Sequence, residues 1–258
     1  MCLIFIAHRL HPRYPLLVAA NRDEFHARPT AAADWWADAP EVLAGRDLQA
    51  GGTWLGITRG GRFAAITNYR EPGKHRSHAP SRGDLVSDFL RGEERPVEYL
   101  DRVAARGTRY NGFSLLAGDG AVIGCYSNRG GAPRVLVPGL YGLSNHLLDT
   151  PWPKVEEGKQ ALERVLARDA IDLDALLELL ANRETPPDEV LPDTGIGSEW
   201  ERRLSARFVR GAEYGTRSST ALVVDVAGRV QFVERAFDAA GDVTGTRRHA
   251  FDLGGPAP

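Results

Sequence analysis

Two short apolar runs, split by a proline-broken linker, open this sequence and leave little choice but a pair of strands. Met1-Cys2-Leu3-Ile4-Phe5-Ile6-Ala7 gives way to His8-Arg9-Leu10-His11-Pro12-Arg13-Tyr14-Pro15, and a second run closes Val18-Ala19-Ala20-Asn21-Arg22-Asp23-Glu24. Polar residues and prolines break the middle segment, so the stretch reads as strand, loop, strand. The second strand passes from apolar residues directly into four polar groups. If its neighbour is the first strand, Cys2 lies close to them.

Cys2 directly follows methionine, and a residue this small usually allows methionine aminopeptidase to remove Met1. The chain would then begin with a thiol and an α-amine on one residue. An α-amine titrates near about pH 8 and a thiol near about 8.5, so the amine can take the thiol proton without any histidine. The competing reading makes Cys2 a small apolar residue at the start of a buried strand.

Further motifs follow in order: Asn21-Arg22-Asp23-Glu24, Ala44-Gly45-Arg46-Asp47, Gly51-Gly52-Thr53-Trp54-Leu55-Gly56, Thr67-Asn68-Tyr69-Arg70, Tyr141 to Lys154, and Tyr214-Gly215-Thr216-Arg217-Ser218-Ser219-Thr220. Together they resemble the NRDE family, also called the transport and Golgi organisation protein 2 family, from residue 2 to about 235. The resemblance implies one domain over 1–258 with an α+β fold. That fold is a four-layer αββα sandwich of N-terminal-nucleophile hydrolase type, distantly related to penicillin V acylases and bile-salt hydrolases. It implies no settled activity, since roles have been suggested in lipid or acyl-CoA metabolism and in haem trafficking.

The reaction expected on this basis is that of an N-terminal cysteine hydrolase or acyltransferase, cleaving an amide, ester or thioester of a small acyl-containing molecule. Cys2 would attack the carbonyl with its own amine as base. Asn68 and Asn145 end apolar stretches and resemble, by position, the two asparagines near the nucleophile of choloylglycine hydrolases, where fixed amides meet the developing oxyanion. Asp23 would hold the amine, and Arg22 or Arg217 would lower the thiol pKa. Those hydrolases carry Arg-Asn-x-Asp where this chain has Ala20-Asn21-Arg22-Asp23, so Asn21 and Asp23 match and the arginine is missing. A capped turn with local ion pairs is the structural alternative for Asn21 to Glu24.

The second expectation is a non-catalytic protein of the same fold that carries a lipid, acyl-CoA or haem. Cys2, His8 or His26 would be the haem ligands, although no Cys-x-x-Cys-His motif supports covalent attachment. No cofactor is expected for the enzyme reading. No Cys-x-x-Cys or His-x-x-x-His spacing supports a zinc site, and no phosphate-binding loop occurs.

Composition narrows the partners. The 258 residues are 43% hydrophobic and 26% charged with a net charge of −2, which gives no general field for nucleic acid. Only Lys74, Lys154 and Lys159 are lysines among the 32 cations, so arginine is the default cation and most arginines read as solvated surface. Two cysteines do not make a disulfide framework, no signal peptide is evident, and no apolar run approaches the roughly 20 residues that span a bilayer. A cytoplasmic location is expected.

Residues 26 to 40 show no clear period and read as a loop, with Trp35 and Trp36 over an edge or pocket mouth. A hairpin spans 53–58 and 62–68, and an exposed loop covers 71–82. Helices are expected around Leu85 to Leu90 and from Pro96, then three strands over 112–117, 121–126 and 133–137, with Cys125 in the core. Thr150 as N-cap with Pro151 after it starts a helix to about Arg168, and another covers Asp172 to Asn182. Residues 183–200 form a long connection, followed by strands at 206–210, 218–226, 229–236 and 245–251.

Overall fold

The computed structural model describes residues 2–255. Strand β1 (Cys2–His8) is buried along nearly its whole length, which is why its apolar run is continuous instead of alternating. It pairs antiparallel with β2 (Leu16–Phe25) on one side and β10 (Gly139–Leu143) on the other. The sheet continues through β11 (Tyr214–Val224), β12 (Arg229–Phe237) and β13 (Val243–Asp252), in the order β10-β1-β2-β11-β12-β13.

A second antiparallel sheet runs in sequence order: β3 (Thr30–Trp36), β4 (Ala39–Asp47), β5 (Leu55–Thr58), β6 (Phe63–Asn68), β7 (Phe113–Gly118), β8 (Ile123–Ser127) and β9 (Arg134–Val135). The turn between β5 and β6 places Gly61 at φ 84°, a conformation that costs glycine little. The two sheets pack face to face. Ile4, Ile6, Val18 and Leu222 from the first meet Leu43, Ile57, Phe63 and Leu116 from the second.

Each outer face carries helices. Leu3, Phe5, Leu17 and Ala19 pack on α3 (Pro153–Leu166) and α4 (Leu173–Leu180), while Ala64, Ile66 and Leu115 pack on α1 (Gly83–Arg91) and α2 (Pro96–Arg106). The α1 stripe, Leu85, Val86, Phe89 and Leu90, is fully buried at the expected positions. The architecture is therefore the four-layer αββα sandwich expected from the sequence.

Four local readings change. Residues 30–36 and 39–47 are strands, with Trp36 buried against α1 and α2 and Trp35 turned between the sheets. The third helix begins at Pro153 with Trp152 as its cap, two residues after the expected start. The Thr150 hydroxyl instead donates to Leu147 O. Residues 206–210 are not a strand: Phe208 N donates to Asn182 O and Val209 N to Thr216 Oγ1, so the backbone is satisfied by a loop and one side chain. The connection from 183 holds a 3-10 turn at Asp188–Val190 and the short helix α5 (Ser198–Arg203).

Candidate active site

The β1–β2 ladder sets Cys2 directly opposite Arg22. Side chains alternate along a strand, so Cys2 shares the inter-sheet face of Ile4 and Ile6, and Arg22 and Glu24 share that of Val18 and Ala20. At this end of the sandwich the sheets part into a cavity of about 310 Å³, with Cys2, Arg22 and Glu24 on one wall and Trp54 and Asn68 on the other. The segment 75–83, ahead of α1, closes one side. The Arg22 guanidinium stacks on the Trp54 ring at 4.2 Å and donates to Thr30 Oγ1 at 3.2 Å.

Burial pushes the Cys2 thiol above its ordinary pKa; Asp23 and Glu24 add to this and Arg22 opposes it. Arg22 thus acts in the direction expected from the sequence, and the cost of burying a thiolate outweighs it. Such a thiol is a poor nucleophile until a base takes its proton.

Asp23 is fully enclosed. Thr216 Oγ1 donates to its Oδ1 at 2.7 Å, and the Tyr214 hydroxyl donates to its backbone oxygen at 3.0 Å. Burial raises the Asp23 carboxyl pKa, while Lys154, Thr216 and Arg22 act to lower it. Lys154, in the first turn of α3, is 4% exposed and donates to Leu204 O at 2.7 Å. Next to it, Arg70 and Glu201 form a buried ion pair at 2.6 Å, and Arg70 stacks on Trp152.

Burial, with Arg70 acting in the same direction, pushes the Lys154 ammonium down to about 8 from 10.5. Between those values the unfolded chain binds a proton that the folded chain does not, so Lys154 makes stability rise with pH across that window, by about 3 kcal/mol at most. In Lys154→Met the rise should disappear. Urea melts of both proteins at the two ends of the window check this; parallel slopes would show that Lys154 titrates normally.

Cys2, Arg22, Asp23 and Asn68 thus meet at one cavity, and Asn21, Asn145 and Arg217 do not line it. The Asn21 amide points to the helix side of the sheet, donating to Leu180 O at 3.0 Å and Arg207 O at 2.7 Å and accepting from Ser219 Oγ at 2.6 Å. Asn145, fully buried at φ 54°, donates to Asn68 O at 3.0 Å and so pins the end of β6. Arg217 sits at the bulge between Thr216 and Ser218, and its guanidinium binds the carbonyls of Phe25, His26 and Arg28.

The three candidate haem ligands do not converge. Cys2 and His8 are the two ends of β1, roughly 20 Å apart at strand rise, and His26 is engaged with Gly211 O. Of the three alternatives only Cys2 lines this cavity. Among the described residues no group of His, Cys, Asp and Glu could hold a metal ion, and no helix is long and apolar enough to cross a membrane.

Sequence reasoning passed over Lys154, Trp54 and Arg82. For Lys154 a signal was present: where arginine is the default cation, one of three retained lysines marks a place for a compact ammonium that can lose its proton. Trp54 stands in the quoted motif of residues 51–56 without a role assigned there, and Arg82 in the loop of 71–82; both roles arise from two sheets and a loop meeting.

Comparison with known proteins gives a consistent picture. The family model described as Transport and Golgi organisation 2 matches residues 1–239. The chain is 45% identical over 262 residues to the Transport and Golgi organization protein 2 homolog of Bos taurus, covering 92% of this chain and 93% of that one. The human homolog is 42% identical over 257 residues, with the same coverage. Among solved structures, the Caenorhabditis elegans N-acylethanolamine-hydrolyzing acid amidase ortholog superposes with a TM-score of 0.50 at 13% identity, covering 86% of this chain and 92% of that one. That likeness is one of fold, the N-terminal-nucleophile hydrolase type, and the extended sequence matches show that the chain belongs to the Transport and Golgi organisation 2 family.

Proposed function

We propose that this chain is an N-terminal cysteine hydrolase or acyltransferase that cleaves an amide, ester or thioester of a small acyl-containing molecule. The observation that carries the reading is Cys2 at the tip of β1, facing a cavity beside Arg22, with Asp23 enclosed next to it. Removal of Met1, which lies outside the described residues, frees the Cys2 amine. That amine takes the Sγ proton as Sγ attacks the acyl carbon, and the S–C bond forms while the carbonyl electrons move to oxygen.

In this reading Asn68, on the facing wall, donates to that oxyanion, and Asn145 fixes the strand end that carries it. Collapse breaks the bond to the leaving group, which takes the proton from the ammonium. Water or an acceptor then releases the acyl group from Sγ. Asp23, which remains enclosed throughout, orients the ammonium as a positioning residue; Arg22 supplies positive potential.

The test uses p-nitrophenyl acetate and intact mass spectrometry. A nitrophenolate burst with one acetyl group on Cys2 is expected in the chain lacking Met1, and none in Cys2→Ala. An active preparation that fully retains Met1 would remove the amine as the base. Cys2 should also react with iodoacetamide much faster than Cys125, whose thiol lies 6% exposed and is pushed up to about 11 by burial. Equal rates in the folded state would oppose a nucleophilic Cys2.

A further inference from the structure

The cavity at Cys2 carries more cations than its own carboxylates satisfy. Its wall includes Arg22, Arg28, Arg76 and Arg82 against Asp23, Glu24 and Asp47. Arg28 is neutralised by Asp47 at 2.7 Å, while Asp23, hydrogen-bonded by Thr216, keeps its charge, so the four guanidinium groups exceed the three carboxylates by one. The other three guanidinium groups are held by neutral acceptors. Arg22 uses Thr30 Oγ1, Arg76 the carbonyls of Thr108 and Tyr110, and Arg82 the carbonyl of Gly112 at 3.0 Å. Among the described residues none of these three forms an ion pair with a carboxylate.

Anchoring by neutral carbonyls orients a guanidinium without cancelling its charge, and each of the three keeps free N–H donors. The backbone next to Arg82 is closely packed. Arg82 immediately precedes Gly83, whose backbone touches Gly52 so closely that a Cβ on Gly52 would lie 2.6 Å from the Gly83 carbonyl carbon. Asp23 and Glu24 are the two cavity carboxylates left against these three, and Glu24 Oε1 accepts from Phe25 N. Arg82 lines the same cavity as Glu24 and Cys2.

From this arrangement we infer that the acyl substrate is an anion, a compact carboxylate- or phosphate-bearing molecule whose charged group is held by Arg82 and Arg22 while its carbonyl faces Cys2. The inference rests on the nucleophile reading above and narrows its substrate class. A volume of about 310 Å³ suits a small polar acyl compound. A neutral long-chain amide would leave the guanidinium groups desolvated and unmatched.

Two alkylating probes of nearly the same size, iodoacetate and iodoacetamide, separate charge from reactivity. In each, Sγ displaces iodide, and only one carries a negative charge. The ratio of the iodoacetate rate to the iodoacetamide rate at Cys2 is expected to be on the order of tenfold higher in the folded protein than in the urea-unfolded chain, and to fall in high salt. Arg82→Gln should lower that ratio severalfold.

A folded ratio equal to or below the unfolded one overturns the inference. If Arg82→Gln does not fold, the salt dependence in the wild type serves in its place, and a flat profile overturns it. Protection of Cys2 against iodoacetamide by millimolar butyrate or inorganic phosphate, with none by butyramide, supports the anion site. Equal protection by butyramide, or none by either anion, counts against it. A nucleophile that fails with p-nitrophenyl acetate yet keeps the raised ratio would separate the two conclusions.

Discussion

Asn21→Leu is expected to lower the unfolding free energy by about 3 kcal/mol or more, because it leaves three buried partners without a hydrogen bond, each worth about 1 to 3 kcal/mol. The amide is 1% exposed and joins β2 to the end of α4, to the loop at Arg207 and to Ser219 of β11. Leucine is close to asparagine in size but cannot answer the two carbonyls or the hydroxyl. The measurement is a urea melt, with Cys2 alkylation followed in the fraction that remains folded. If stability falls and the folded fraction keeps its normal Cys2 rate, Asn21 is a clamp; if stability holds and reactivity collapses, the amide acts on the reaction instead.

Two residues along β2 the expectation reverses. Asp23→Asn should leave stability within about 2 kcal/mol of the wild type, since the amide can still accept from Thr216 and no longer carries a charge whose burial is unfavourable. Acetylation of Cys2 by p-nitrophenyl acetate should fall by on the order of tenfold or more, because a neutral amide cannot hold the ammonium that the reaction forms. A paired melt and acetylation rate decide it. Unchanged acetylation with a large loss of stability would make Asp23 a structural residue, and its positioning role would be dropped.

These two neighbours show where sequence reading succeeds and where it stops. Two short apolar runs joined by a broken linker announced β1 and β2, and with them Cys2 near the polar residues 21–24 if the strands are neighbours, while helical spacing announced the α1 stripe. Period-two alternation puts Asn21 and Asp23 on one face, but which face meets the cavity depends on α4, more than 140 residues away in the chain. The edge strand β10 was hidden because Gly139-Leu140-Tyr141-Gly142-Leu143 is short and glycine-rich, and only pairing with β1 orders it. Ala31 to Ala33 similarly lack the branched residues that announce a strand, and residues 206–210 showed an apolar run whose backbone partners lie elsewhere.

The interior position of β1 also sets an order of events during synthesis. Its neighbours are β2, made at once, and β10, which ends at residue 143. At ribosomal speeds of about 5 to 20 residues per second, the nascent amino end stays uncovered for on the order of ten seconds before both flanking strands exist. In that interval the start of β1 is open on both flanks, whereas in the finished sheet Cys2 is half-buried at the cavity. Any enzyme that trims the amino end therefore meets a barer strand during synthesis than after folding.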